Sequence, residues 1–242
     1  MKHFLLALQF LTIIPVKIRG TVSDKDISRS LLFFPIAGAL IGWILCCVLG
    51  LLSFLPQIVL AAVLLAANSV ITGGLHLDGF ADTCDGLCGT HSAEKSLEIM
   101  RDSRVGAMGL IGIVCLLVLK FSLLTAVAGL LMWKTLICMG MISRWMQVFA
   151  CYSGDYPRKE GKAKLFVGSV LLKDLAAGGT IVFMLTALLC GIKGVMGFVF
   201  TFACVFVFKL FVRKKISGMT GDTIGAASEI AEVIILLSAL IF

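Results

Sequence analysis

Three aspartates, at positions 78, 82 and 85, are the residues whose type and spacing most directly predict chemistry in this sequence of 242 residues. If the backbone is helical there, Asp78, Asp82 and Asp85 lie at i, i+4 and i+7, which aligns three carboxylates along one face of the helix. Like charges at that spacing repel one another unless a cation neutralises them. Because the donors are carboxylate oxygens without a set of Cys and His ligands, we expect Mg²⁺ or a similar hard cation, which usually bridges to substrate phosphates.

Basic residues and glycines surround these aspartates. Six of the 14 acidic residues of the chain lie within residues 76–104, and Arg101 and Arg104 lie at the end of that stretch. Guanidinium groups bind phosphate oxygens in bidentate geometry, although arginines at the end of a span also commonly set topology. The neighbouring glycines would let a ligand approach closely, or alternatively would let two helices pack. Carboxylates, a metal ion and a guanidinium pair together indicate a diphosphate-binding site.

Further polar residues lie within or beside apolar segments, where ionisable groups are costly and usually functional. Asp222 lies between glycines ahead of the last apolar run, so it is a candidate metal ligand or hydroxyl contact, or else a helix cap. Arg144 lies about 12 Å inside its apolar run, where it is a candidate anion contact unless its side chain extends toward the interface. His76, two residues before Asp78, is a candidate catalytic residue, with a structural hydrogen-bonding role as the alternative.

Other charged features have less specific interpretations. The basic loop 156–164 could steer an anionic substrate or contact anionic lipid. Glu229 and Glu232 lie on the last apolar run at a depth that again indicates function, whereas Lys120, which is similarly deep, has no assigned role. His91 flanks the aspartates on the side opposite His76.

The elements that must position these residues are apolar helices. Hydrophobic residues make up 60% of the chain and charged residues 14%, with a mean hydropathy of +1.07. Soluble domains are roughly 45–50% apolar and about 25% charged, so a water-soluble globule and a disordered chain are both excluded. We therefore predict an all-α, polytopic integral membrane protein whose residues 1–242 form one membrane-embedded catalytic domain. A spanning helix takes about 20 residues, and the long apolar runs predict seven spans: 31–55, 58–74, 105–131, 132–152, 175–191, 194–212 and 226–242.

The distribution of basic residues predicts the orientation of these spans. If the connections alternate between two sides, one side holds sixteen basic residues and the other holds only Lys134 and Lys193. By the positive-inside rule, the sixteen basic residues and the three aspartates are cytoplasmic. The formal charge of +7 is then mostly a topology signal, and we expect the lipid bilayer as a partner but no nucleic acid. Residues 4–14 are too short to span and are predicted to form an interfacial helix, and the nine cysteines are expected to be small buried hydrophobes.

One long segment resembles the signature of a known family. Residues 72–109, TGGLHLDGFADTCDGLCGTHSAEKSLEIMRDSRVGAMG, are similar to the signature of the cobalamin synthase family, the adenosylcobinamide-GDP ribazoletransferases. Shorter stretches extend the resemblance over essentially the whole chain: ALQFLTIIPV, FFPIAGALIG, SRWMQV, RKEGKA and GMTGDTIGA. Two departures are Cys84, where a small residue such as Ala is expected, and the RKEGKA loop, which has less glycine than expected.

The resemblance implies a reaction and a location. It implies a prokaryotic enzyme of the inner cell membrane that acts late in cobalamin biosynthesis, with its active site on the cytoplasmic face. Its substrates would be adenosylcobinamide-GDP and α-ribazole or α-ribazole 5′-phosphate, and GMP would be released. In that reaction the ribazole 3′-hydroxyl attacks the phosphorus that bears the cobinamide.

The resemblance also suggests a role for each candidate residue. The carboxylates that would hold Mg²⁺ on the diphosphate are Asp78, Asp82 and Asp85. The guanidinium groups that would contact substrate phosphate oxygens are Arg101, Arg104 and Arg144. The residues assigned to catalysis are Asp82, Asp222 and His76. Of these, Asp222 or His76 would orient or deprotonate the attacking hydroxyl.

Three other kinds of membrane protein share some of these features. A CDP-alcohol phosphotransferase would require the pattern D-G-x-x-A-R, but this chain has D-G-F-A-D-T, with Thr83 in the arginine position. An intramembrane prenyltransferase normally has two Asp-rich loops, whereas the second loop here contains only Asp222. An ion-coupled transporter would also carry intramembrane acids, but it usually shows repeat symmetry between its halves, and no such repeat is visible.

Overall fold

The protein is helical, as its composition predicts. The computed structural model describes residues 1–89, 92–127 and 129–242, and within them it contains α-helices and short 3₁₀ segments but no strands. His91 lies outside the described residues. The α-helices of the described part are α1 (Lys2–Leu11), α2 (Asp24–Ser30), α3 (Phe34–Leu51), α4 (Gln57–Ile71), α5 (Leu75–Leu87), α6 (Ala93–Ile99), α7 (Ala107–Ala126), α8 (Gly129–Cys151), α9 (Leu172–Ile216) and α10 (Gly221–Ile241).

Several helices have the length and apolar character of membrane spans. Four helical segments of the described chain meet both criteria: Asp24–Leu51, Ala107–Ala126, Leu172–Ile216 and Gly221–Ile241. A fifth span is obtained if α4 and α5, which are bent by 89°, are counted as one. All seven predicted spans overlap helices, so the all-α membrane architecture is confirmed, but the count of seven is not.

The predicted spans 175–191 and 194–212 both lie in α9, a single helix that is interrupted between them. α9 is 45 residues long, and Gly191 interrupts it with φ 61° and ψ −144°. That left-handed conformation is readily available only to glycine, which has no Cβ. The break separates two halves that are each close to the roughly 20 residues of a span. The sequence-based division between these two segments therefore coincides with the break.

The core is built around α8, whose backbone lies very close to that of α3. A Cβ on Gly38 of α3 would lie 2.0 Å from the carbonyl oxygen of Gly140, and a Cβ on Gly42 would lie 2.4 Å from that of Leu136. Small residues allow this approach, which is how helices commonly pack in membranes. α10 packs against α5, α7, α8 and α9, so it connects the acidic stretch with the core. At the other end of the chain, α1 packs against α2 and α3 and buries Leu8 and Leu11.

Candidate active site

Two glycines set the direction of the helix that carries the predicted aspartates. Gly73 and Gly74 have φ values of 60° and 67°, and they separate α4 from α5. Two consecutive residues in the left-handed region favour glycine because a Cβ would clash there. α5 therefore turns by 89° from the apolar α4, and it carries His76 and the three aspartates beyond the end of the predicted span 58–74.

Close contact between α5 and α10 brings the two acidic segments of the sequence together. A Cβ on Gly79 of α5 would lie 2.9 Å from the Cα of Asp222. A Cβ on Gly225 of α10 would in turn lie 3.3 Å from the Cα of His76. Glycines on both helices thus permit the backbones to approach. The structure thereby places His76, Asp78 and Asp222 around one cavity.

The carboxylates of this region affect one another electrostatically. The pKa of Asp82 is raised to about 7, chiefly by burial and then by the neighbouring charges of Asp222 and Asp78, while the charge of Arg158 acts in the opposite direction. Burial and like charges both disfavour the ionised carboxylate. A cation placed among these groups would relieve that repulsion.

Within the described residues, the carboxylate of Asp85 is held by hydrogen bonds to backbone amides, unlike those of Asp78 and Asp82. Its carboxylate accepts hydrogen bonds from the backbone amides of Gly106, at 2.7 Å, and Gly109, at 2.8 Å. These amides belong to the start of α7, where helix N–H groups have no partner within the helix. A Cβ at either glycine would lie within 2.4 Å of an Asp85 oxygen, so this contact requires the glycines of the VGAMG segment. Asp85 joins α5 to α7, and its role as a metal ligand stays a prediction.

Arg158 is a functional candidate that the sequence analysis did not identify individually. Its Nη2 donates a hydrogen bond to Oδ2 of Asp222 at 2.7 Å, across a separation of 64 residues. Thr220 and Thr223 form a capping box that begins α10 and so positions Asp222 in its first turn. The signal in the sequence was the basic character of loop 156–164, which did not distinguish Arg158 from the lysines beside it.

The cavity beside these residues has a volume of about 410 Å³. Its polar side includes the side chains of His76, Asp78, Gln147, Arg158 and Asp222. Gln147 is a second residue that sequence analysis missed, and its Nε2 lies 3.1 Å from Nε2 of His76. His76 is buried, so Gln147 holds its ring against the cavity. The arrangement can bind an anion at Arg158, receive a cation at the carboxylates and accept a proton from a hydroxyl.

The three arginines predicted to bind substrate do not line this cavity. Arg101 and Arg104 are exposed, and Nη2 of Arg104 donates to Oδ2 of Asp102 at 2.6 Å. Arg144 is fully buried, and its Nη1 pairs with Glu232 and donates to Oγ of Ser143 at 2.7 Å. Contact of these guanidinium groups with substrate phosphates stays a prediction.

Arg144 belongs to a buried ion network that joins four helices. Lys120 of α7 donates to Glu232 of α10 at 2.6 Å and also pairs with Glu229. Asn68 of α4 donates to the same Glu232 carboxylate at 3.0 Å. The two acids and two bases balance in charge, which is the condition under which ionised groups can be buried. This network holds the helix of Asp222 against α4, α7 and α8.

The donor set suits a magnesium ion whose coordination is completed by substrate. In the described residues, no three His, Cys, Asp or Glu side chains converge closely enough to enclose a metal ion. Mg²⁺ is usually bound through one or two carboxylates together with waters and substrate phosphates, and it does not require an all-protein cage. Asp78 and Asp82 provide hard oxygen donors of that kind. Their chemistry therefore fits Mg²⁺, with the diphosphate supplying further oxygens.

Comparison with known proteins identifies close relatives along the whole chain. The family model described as cobalamin-5-phosphate synthase matches residues 3–240. Relatives named adenosylcobinamide-GDP ribazoletransferase include one from Geotalea daltonii, 36% identical over 98% of this chain and 96% of its own length. A relative from Acetivibrio thermocellus is 35% identical, and one from Clostridium novyi is 36% identical. In both cases the match covers 100% of this chain and 98% of the relative's own length. No solved structure matches the chain.

Proposed function

The chain belongs to the cobalamin-5-phosphate synthase family, and from this premise we propose that it joins adenosylcobinamide-GDP to α-ribazole or α-ribazole 5′-phosphate and releases GMP. It is a membrane transferase of cobalamin biosynthesis, with the apolar helices of a membrane protein. The observation that carries the proposal is the shared cavity, where the carboxylates of Asp78 and Asp222 lie beside the guanidinium of Arg158. Acidic and basic groups around one space of about 410 Å³ suit a metal-bound diphosphate.

The reaction transfers one phosphoryl centre between two oxygens. The ribazole 3′-hydroxyl oxygen forms a bond to the phosphorus that bears the cobinamide, and the bond from that phosphorus to the GMP oxygen breaks. Asp222 or His76 takes the hydroxyl proton, since both line the cavity. Arg158 binds and orients phosphate oxygens, and in doing so it exchanges its carboxylate partner for the substrate. Mg²⁺ held by Asp78 and Asp82 would neutralise charge on the diphosphate and on the departing GMP.

We place the enzyme in the inner membrane of a prokaryotic cell with the cavity on the cytoplasmic face. Many of the residues around the cavity come from the start of α3, the start of α5, the end of α8 and the start of α10. The distribution of basic residues predicts that these ends are cytoplasmic, which supports the assignment. The family match over residues 3–240 supports a single catalytic domain.

The direct test is turnover by the purified full-length protein in detergent. Protein is mixed with Mg²⁺, adenosylcobinamide-GDP and α-ribazole, and GMP and corrinoid product are quantified by chromatography. We expect GMP and the new corrinoid in equal amounts, each dependent on both substrates. Absence of GMP, or transfer of a prenyl or CDP-linked group instead, would contradict the proposal.

A further inference from the structure

One wall of the cavity is aromatic. Phe10, Phe34 and Phe166 come from three separate parts of the chain and all line the space that Asp78 and Asp222 face. Ring centroids lie 5.7 Å apart for Phe10 and Phe34, 5.1 Å for Phe10 and Phe166, and 5.7 Å for Phe34 and Phe166. Such distances are typical of aromatic side chains in mutual contact. The lining of the cavity thus combines an aromatic cluster with charged side chains.

Two buried polar atoms at the same cavity are not hydrogen-bonded. Among the described residues, Oε1 of Gln147 and Nε of Arg158 have no hydrogen-bond partner, although both side chains line the cavity. Gln147 is only 1% exposed, so its free acceptor is shielded from bulk solvent. Buried polar groups are nearly always hydrogen-bonded, so a group without a protein partner calls for a water, an ion or a ligand. One acceptor and one charged donor without partners therefore belong to residues that line the cavity.

We propose that this cavity is the binding site for the acceptor nucleoside, an apolar bicyclic base linked to a ribose. The planar base packs against Phe10, Phe34 and Phe166, a ribose hydroxyl donates to Oε1 of Gln147, and Arg158 contacts phosphate oxygens. This assignment rests on the proposed transferase function. The space of about 410 Å³ lies within the roughly 300–1,000 Å³ usual for small-molecule sites.

The chemistry of the wall favours the acceptor base over guanine, the other planar base in the reaction. Guanine carries several donors and acceptors on its edge, and each of these costs free energy if it is buried without a partner. The phenylalanine side chains offer no hydrogen bonds. A benzimidazole ring with two methyl groups has one hydrogen-bonding atom, its unsubstituted ring nitrogen, so its burial there costs less free energy than burial of guanine. Asp78 and Asp222 line the same cavity as the aromatic wall, so a nucleoside bound there shares the space with both carboxylates.

The test replaces the aromatic face while keeping the wall apolar. In Phe166→Leu we expect the KM for α-ribazole to rise about tenfold, the order typical of a lost base–aromatic stack, while the KM for adenosylcobinamide-GDP stays unchanged. Phe166→Tyr retains a ring and should retain the low KM. The matched control is Phe183→Leu, because Phe183 contacts Phe198 at 5.5 Å in a separate aromatic cluster. If Phe166→Leu does not fold, Phe10→Leu, which alters a half-buried ring of the same wall, is measured instead.

Each alternative result has a defined meaning. A rise in the KM for adenosylcobinamide-GDP alone would assign the wall to guanine or the corrinoid and overturn the inference. Unchanged KM values for both substrates would show that the wall is structural and also overturn it. If the wild type releases no GMP, the proposed function fails, and equilibrium dialysis with α-ribazole and with guanosine tests the inference separately. Tighter binding of α-ribazole than of guanosine, weakened in Phe166→Leu but not in Phe183→Leu, would then support it, and any other pattern would refute it.

Discussion

Arg158 donates a hydrogen bond to Asp222 over 2.7 Å, and this contact joins the loop after α8 to the first turn of α10. Thr220 adds a longer contact to the same Asp222 oxygen, at 3.3 Å. The guanidinium thereby neutralises a half-buried carboxylate at the edge of the cavity. A bound diphosphate offers more acceptor oxygens than one carboxylate, so we expect substrate to draw Arg158 away from Asp222 and leave that carboxylate beside the reacting hydroxyl.

Replacement of Arg158 should impair turnover strongly. We expect Arg158→Ala to lower kcat/KM for GMP release by about 10- to 100-fold, equivalent to the roughly 1.5–3 kcal/mol of a hydrogen bond to a charged group. Arg158→Lys should recover only part of this loss, because lysine keeps the charge but lacks the planar fork. Lys159→Ala, at the adjacent exposed position, is the control. Equal losses in Arg158→Ala and Lys159→Ala would mean that the loop acts only through its overall charge.

Asp82 should be essential for chemistry but not for assembly. We expect Asp82→Asn to abolish measurable GMP release while the protein still inserts into the membrane and elutes as the wild type does. The amide cannot provide the anionic oxygen that a hard divalent cation prefers. The assay is GMP release by equal amounts of purified wild type and variant. An active Asp82→Asn protein would refute the assignment of this carboxylate to metal binding.

Asp85 should behave differently, because its carboxylate caps α7. Asp85→Ala leaves the amides of Gly106 and Gly109 without their acceptor, and loss of such a cap costs about 0.5–2 kcal/mol of stability. We expect a lower midpoint of thermal unfolding in detergent. Asp82→Asn, measured beside it, should unfold at or above the wild-type midpoint, because the amide removes a charge that burial and like charges disfavour. If both variants unfold like the wild type and Asp85→Ala is inactive, Asp85 acts in catalysis and not chiefly as a cap.

Lys120 should be required for stability of the helix bundle. Lys120→Met removes the positive charge that pairs with the buried carboxylates of Glu229 and Glu232. Breaking a buried ion pair commonly lowers the free energy of unfolding by about 3–5 kcal/mol. We expect a large fall in the thermal midpoint, partly restored in Lys120→Met combined with Glu229→Gln, because the second change removes the uncompensated charge. Lys193→Met, at an exposed position, serves as the control. A double variant less stable than Lys120→Met would argue against charge imbalance as the cause.

Chelation should stop the reaction without loosening the fold. Because no three metal-binding side chains of the described chain converge, the metal is expected to bind together with the diphosphate. Excess EDTA should therefore abolish GMP release, and added Mg²⁺ should restore it. The thermal midpoint of the substrate-free protein should be the same with and without EDTA. A fall in that midpoint would indicate a closed structural metal site, and full activity in EDTA would remove the metal from the mechanism.

Local properties of the sequence were sufficient to predict the helical membrane architecture and to locate the acidic region. Long apolar runs favour helices in a bilayer because every backbone N–H and C=O is then satisfied within the segment. The spacing of Asp78, Asp82 and Asp85 placed them on one face on the condition that the segment is helical, and α5, which spans Leu75–Leu87, meets that condition. The family resemblance also depended on contiguous residues, and the match over residues 3–240 confirmed it.

The partners of the charged groups were decided only by tertiary structure. Arg158 and Asp222 are 64 residues apart, and Lys120 and Glu232 are 112 apart, so no spacing rule could pair them. Asp85 looked equivalent to Asp78 in the sequence, yet it meets the start of α7 because the glycines at 106 and 109 leave room for its oxygens. The sequence alone determines which segments are helical and where charge is concentrated, since these depend on neighbouring residues. The pairing of charged groups depends on how closely the helices approach one another. That distance is set by contacts between helices, such as that of Gly79 with Asp222, which exist only in the folded chain.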